Sequence, residues 1–177
     1  MHGQDRGAAL ARLDAPRQAA TRWENPLWVL PTPGWSDPER YALLLADQLL
    51  ALRFAEPGDC ALGSRLSLFS DVGLLLVEAG APPERRQACA QAVEHALSGL
   101  AAGAVTRRDL QCAAAALWAR LAADSDPLSL MHRLSRELWY LPRVPELQER
   151  RAALAVLGPA DLGRALAAGW QRRVCWR

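Results

Sequence analysis

Between Ser36 and Arg53 the chain gathers Leu43, Leu44, Leu45, Leu49, Leu50 and Leu52 into one short segment behind helix-start residues. Ser36 or Asp37 is a candidate cap, and Pro38 and Glu39 suit a first helical turn. A helix apolar on most of its sides must be buried, so the rest of the chain has to cover it. The sequence on either side supplies two kinds of cover. Upstream, Trp23 to Leu30 reads as one strand, closed by Pro31-Thr32-Pro33-Gly34, a stop through which neither a helix nor a central strand is expected to continue. Downstream, Leu62, Ser64, Leu66 and Leu68 alternate with Gly63, Arg65 and Ser67, and Leu74 to Val77 follow Ser70-Asp71-Val72-Gly73, which predicts a hairpin ending near Gly80.

Beyond Pro82-Pro83 the periodicity is helical throughout. Cys89, Ala92, Val93, Ala96, Leu97 and Leu100 recur at helical spacing, with Gly99 and Gly103 near the stop. Thr106 and Asp109 form a near capping box for a second helix through Leu110, Ala114, Leu117 and Leu121. Asp126-Pro127 opens a third helix to about Tyr140, Glu146 to Leu157 forms a fourth, and Gly158-Pro159 starts a fifth that runs to about Trp170. A strand, a helix, a hairpin and then a run of helices imply an α+β fold in which a small antiparallel sheet is covered by helices. Residues 1–22 read as a mobile lead-in, with at most a short helix at Ala8 to Leu13, and residues 23–177 as a single domain.

Charge and motif content narrow the function. All 21 basic residues are Arg and face 19 acids, for a net charge of +2, so no overall field favours nucleic acid or an anionic membrane. Apolar runs such as Leu74 to Val77 are far shorter than the roughly 18 residues of a membrane span. Met1 to Gly7 lacks the apolar core of a secretory signal, which predicts a cytoplasmic protein. Cys60, Cys89, Cys112 and Cys175 are widely spaced and are expected to be reduced. A chain without lysine has no P-loop lysine, and no serine lies in G-x-S-x-G. Gln91 to His95 reproduces an H-x-x-E-H zinc motif except that Gln91 replaces the first histidine, which leaves too few donors for zinc. His132, beside Arg133, Arg136 and Glu137, reads as a solvated or partner-facing side chain rather than a general base. The Arg pairs 85–86, 107–108, 150–151 and 172–173 read as solvated helix ends. Trp23, Trp28 and Trp35 crowd the first strand and Trp170 and Trp176 flank the basic C-terminus, a pattern open to core packing or to an interface.

Taken in order, several short strings resemble the insulinase, or pitrilysin, family of zinc peptidases, in particular its non-catalytic half-domains. They are Ser36-Asp37-Pro38-Glu39-Arg40-Tyr41-Ala42-Leu43-Leu44-Leu45, Phe69-Ser70-Asp71-Val72-Gly73, Ala79-Gly80, Pro83-Glu84-Arg85, Gly103 to Leu110, Asp126-Pro127-Leu128 and Leu157 to Leu162. The resemblance spans roughly Trp23 to Trp170 and implies a domain shortened at its front. Catalytic halves of the family carry H-x-x-E-H in their first long helix. The matching stretch here, Tyr41 to Leu52, has no histidine, so the resemblance implies no catalytic residue and no metal ligand in this chain. Non-catalytic halves place an Arg and, seven residues later, a Tyr near the bound peptide. Arg53 keeps the first position and Cys60 stands at the second, making these two the candidate substrate-binding residues.

The resemblance therefore implies a subunit, not an enzyme on its own, that pairs with an H-x-x-E-H partner holding the zinc. The pair would enclose a peptide and offer it a strand edge, for instance in maturing ribosomally made peptides or precursors of pyrroloquinoline quinone. The alternative is a non-enzymatic interaction or scaffold domain, a degenerate relative of the family. A self-sufficient hydrolase is disfavoured because no complete nucleophile-and-base constellation is present.

Overall fold

The computed structural model describes residues 26–54, 60–123 and 126–176. The expected lead-in, the Ala8 to Leu13 helix, Trp23 and the Pro57-Gly58 break lie outside these residues. In chain order the elements are β1 (Leu27–Pro33), α1 (Arg40–Arg53), β2 (Ala61–Leu68), β3 (Val72–Gly80), α2 (Arg86–Ala101), α3 (Arg107–Ala123), α4 (Pro127–Tyr140), α5 (Leu147–Ala155), α6 (Pro159–Gln171) and β4 (Val174–Trp176). The strands form one antiparallel sheet in the order β2-β3-β1-β4. The α+β expectation holds, with one more strand than the sequence suggested.

Alternation decides which sheet face is covered. Trp28, Leu30 and Thr32 of β1 and Leu75, Val77 and Ala79 of β3 are buried beneath helices. On β2 the inward Ser64 donates a 2.7 Å hydrogen bond to Asp47 Oδ1 of α1. The opposite face carries Leu27, Val29, Pro31, Leu74 and Leu76, all half-buried. The core is continuous, and α1 supplies Ala42, Leu43, Leu45, Ala46, Leu49 and Leu50 to it. Leu52, expected inside, is exposed on the last turn of α1. That helix starts at Arg40, later than expected, because Asp37 Oδ1 accepts the Glu39 amide at 2.7 Å and holds residues 37–39 in a turn.

Pro31 and Pro33 do not end the first strand. β1 continues through both because β4 pairs only with Leu27, Trp28 and Val29, leaving the proline half as an edge on that side, where a missing N–H disrupts no ladder. Helix α6 closes over this half. A Cβ on Gly169 would collide with the Pro31 carbonyl oxygen, so glycine is what lets the helix backbone approach the strand. Gly34 serves a similar purpose next to the β2–β3 turn: the Trp35 amide bonds Phe69 O at 2.6 Å, and a Cβ on Gly34 would lie 2.6 Å from that same oxygen.

Helix starts follow the sequence signals closely. Thr106 and Asp109 exchange capping bonds at the N-terminus of α3, with Thr106 N to Asp109 Oδ2 at 3.0 Å and Asp109 N to Thr106 Oγ1 at 3.1 Å. The Glu146 amide bonds Glu149 Oε2 at 2.7 Å before α5, and the Gly158 amide bonds Asp161 Oδ2 at 2.8 Å before α6. Each bond is made to an ionised carboxylate, so each carboxyl is held below its ordinary range. Asp109 is lowered by the Thr106 amide and hydroxyl, and Asp161 chiefly by the Gly158 amide. Glu149 falls to about 2, first through its paired hydrogen bonds from Arg143 and then through the Glu146 amide.

Two outcomes are expected. Gly169→Ala should destabilise the fold by about 1–3 kcal/mol, the usual range for overpacking a close contact, read as a lower denaturation midpoint with an unchanged m-value. Because the folded-state carboxylates titrate below their unfolded values, their stabilisation is complete above pH 4.5 and is lost as the pH falls from there toward 2. Thermal melts followed by circular dichroism should therefore be level above that window and decline within it, and Glu149→Gln should reduce the decline.

Candidate functional site

The structure separates the two substrate-binding candidates by what holds them. Arg53 is exposed on the last turn of α1, close enough to Asp109 at the start of α3 to help keep that carboxyl ionised. Cys60, just before β2, is bonded to Cys89 on α2, with a Cα–Cα distance of 5.4 Å. The expectation that all four cysteines are reduced is thus corrected for this pair, while Cys112 and Cys175 are free. The two bonded positions are 29 residues apart and belong to different elements, so they meet only because β2 and α2 both lie against the same core. Bonded, Cys60 offers no thiol to a peptide, and this candidate site keeps Arg53 as its only side chain able to grip a carboxylate.

The near-motif on α2 does not assemble a metal site. Gln91 and His95 are exposed, and Glu94 Oε1 accepts a hydrogen bond from the buried Trp28 indole at 3.4 Å. Among the described residues no three His, Cys, Asp or Glu side chains gather as ligands would. Tyr41 to Leu52 lies within α1 and has no imidazole to offer.

Two features that sequence reasoning missed lie around α4. This helix presents its charged face inward. Glu137 is almost fully buried and receives two hydrogen bonds from the Arg150 guanidinium, which also donates to Pro145 O at 3.0 and 3.1 Å. The same pairing raises the Arg150 pKa. Outward, α4 exposes Leu128, Met131 and Leu138, and Trp139 is 84% exposed. Leu128, Met131 and Leu138 recur at the spacing of a single helix stripe. The apolar period was visible in the sequence, but its direction was not, because periodicity does not say which face meets the core.

Behind α4 lies a cleft of about 130 Å³ bounded by the start of α1, β2, α3 and α5. Leu44, Leu66, Leu68 and Leu117 form apolar walls, and Arg40, Arg120, Arg133, Arg136 and Arg150 surround it. Arg136 lies over the Trp35 ring at 5.6 Å and Arg40 over the Tyr41 ring at 4.6 Å. The tryptophans thus divide between the two readings left open. Trp28 and Trp35 are core residues, whereas Trp176 on the edge strand β4 is largely exposed.

Solved structures with this architecture include proteins described as proteases or peptidase domains. A Pseudomonas fluorescens protein described as a peptidase M16 inactive domain aligns with a TM-score of 0.64 at 14% identity over 85% of this chain and 40% of its own. This chain has the M16 peptidase-domain fold. A Yersinia pestis protein described as a predicted insulinase family protease aligns at 0.60 with 19% identity, over 89% and 40% of the two chains. A protease from Helicobacter pylori aligns at 0.65 with 15% identity, over 86% and 40%. The M16-like chain therefore spans about two fifths of the length of these structures. No family model and no curated protein matches the sequence.

The Cys60–Cys89 bond closes a loop whose separation of 29 residues corresponds, on chain-entropy grounds, to roughly 3.6 kcal/mol. Reduction, or the Cys60→Ser/Cys89→Ser variant, should lower the unfolding free energy by about that amount without changing the far-ultraviolet spectrum. Mass mapping after alkylation of the untreated protein should label Cys112 and Cys175 alone.

Proposed function

We propose that this chain is a catalytically inactive peptidase-like subunit that pairs with an H-x-x-E-H partner and helps enclose a peptide held against the partner's zinc. The observation that carries the reading is an M16-type domain built around an α1 without a single histidine. Two surfaces support it. The outward stripe of α4, with Trp139 at its end, is a large apolar area of the kind that interface cores use. The half-buried sheet face with Leu74 and Leu76 on β3, next to β2, which is an edge strand among the described residues, suits an extended peptide that adds a strand beside apolar ground. Arg53 would take a carboxylate or carbonyl of that peptide. Maturation of ribosomally made peptides, including precursors of pyrroloquinoline quinone, is the setting we favour.

A second reading, a docking or scaffold domain without peptide contact, is favoured by one observation: Cys60 is bonded to Cys89 and unavailable to substrate. The same bond favours an oxidising compartment over the cytoplasm. No helix among the described residues is long and apolar enough to cross a membrane.

Co-expression with an H-x-x-E-H protein should give co-purification, and proteolysis should appear only when both chains are mixed. Leu138→Glu/Trp139→Glu should weaken the association at least tenfold, since truncating a buried aromatic anchor commonly costs 2 kcal/mol or more by the ~2 kcal/mol hot-spot threshold. Zinc bound at one equivalent by the isolated chain would refute the inactive assignment, and peptide processing that is unaffected by Arg53→Ala would favour the scaffold reading.

A further inference from the structure

The cleft behind α4 has a composition that the paired-subunit reading does not use. Five guanidiniums converge on a space of about 130 Å³, accompanied by one carboxylate, Glu137, which is already bonded to Arg150 through both oxygens. Elsewhere the chain alternates Arg with Asp and Glu to a net charge of only +2, so this concentration of positive charge is local. Two donors in the cleft's lining residues, Trp35 Nε1 and Arg40 Nε, are buried without a hydrogen-bond acceptor. Buried N–H groups are costly to leave unpaired, and neither an indole nor a guanidinium can accept a bond in exchange. Arg40 already donates from its Nη1 to Trp35 O and Asp37 O, so the acceptor wanted is one for these two remaining N–H groups, and a negatively charged one suits the positive surroundings.

The geometry points to a binding site for a small oxyanion, a carboxylate or phosphate group, seated among Arg40, Arg120, Arg133 and Arg136 next to Trp35. Stacking of Arg136 on Trp35 and of Arg40 on Tyr41 fixes the guanidinium planes, and a planar fork held in place loses little freedom when it pairs bidentately. Arg150 already grips Glu137 in that manner in the wall of the same cleft. The volume is close to that of a cavity that accepts benzene, roughly 150 Å³, which admits one acidic group on a short stem and excludes a nucleotide. The leucine walls suit an apolar stem. The site is distinct from Arg53, at the opposite end of α1, and does not depend on a partner subunit.

Isothermal titration of the isolated chain with inorganic phosphate, with succinate, and with a short peptide in free-acid and amidated forms tests the inference. Saturable binding with a Kd below about 1 mM is expected for at least one of these, weakening as salt is raised. Phosphate alone identifies a phosphate site, succinate a small-carboxylate site, and the free-acid peptide without its amide a peptide-terminus site. Arg120→Gln/Arg136→Gln alters exposed side chains, so it should keep the wild-type circular dichroism and a cooperative melt while losing at least tenfold in affinity. Trp35→Phe keeps a ring and removes the unpaired donor, and should also weaken binding. Absence of saturable binding by all four probes, or undiminished binding by the folded double arginine variant, would overturn the site.

Discussion

The enclosure of α1 is the constraint on which the rest of the domain depends. A helix that buries Leu43, Leu45, Leu49 and Leu50 together with two alanines cannot rest on a sheet with its other side in water. It needs β2 beneath it and α3, α5 and α6 around it. Meeting that need fixes the layer order. The helices gather on one face of the sheet, and the other face is left half-buried and apolar. Glycines permit the closest approaches: Gly169 lets α6 settle on β1, and Gly163 of α6 meets the backbone at Gly103, a residue with a φ of 68° after α2.

Helix α4 follows a different rule. It is held by a buried ion pair rather than by an apolar stripe, and truncating either partner would leave the other charge poorly solvated. Inversion has two effects at once. Inward, it brings Arg133, Arg136 and Glu137 to the same cleft as Arg40 and Trp35. Outward, it exposes leucines, a methionine and Trp139 that a helix in a self-contained domain would bury. A single orientation of one helix thus generates both an arginine-lined cleft and an apolar surface suited to a partner.

Local signals were legible where their physics is local. The Thr106–Asp109 box, Asp126-Pro127 and Gly158-Pro159 each mark a helix start within about a residue, because capping involves only a few successive amides. The hairpin was legible from period-two burial. The short β4 was not, since three residues carry no period and Val174 to Trp176 becomes a strand only by pairing with Leu27 to Val29. The prolines of β1 looked like a stop because their tolerance depends on which neighbour lies beside them. Of the candidate site, Arg53 lies exposed at the end of α1. The fate of Cys60 was hidden because its partner is 29 residues away on another element.

The sequence by itself determined the α+β class, the buried first helix, the run of capped helices after the hairpin, and the absence of histidines from α1. Each of these follows from residue types and spacings within one or two turns. Tertiary structure alone decided that Cys60 meets Cys89, that α4 turns its charges inward, and that arginines from four helices surround one cleft. Those outcomes depend on which faces meet once α1 is enclosed. A pattern of hydrophobicity gives a helix two faces but does not say which will be covered.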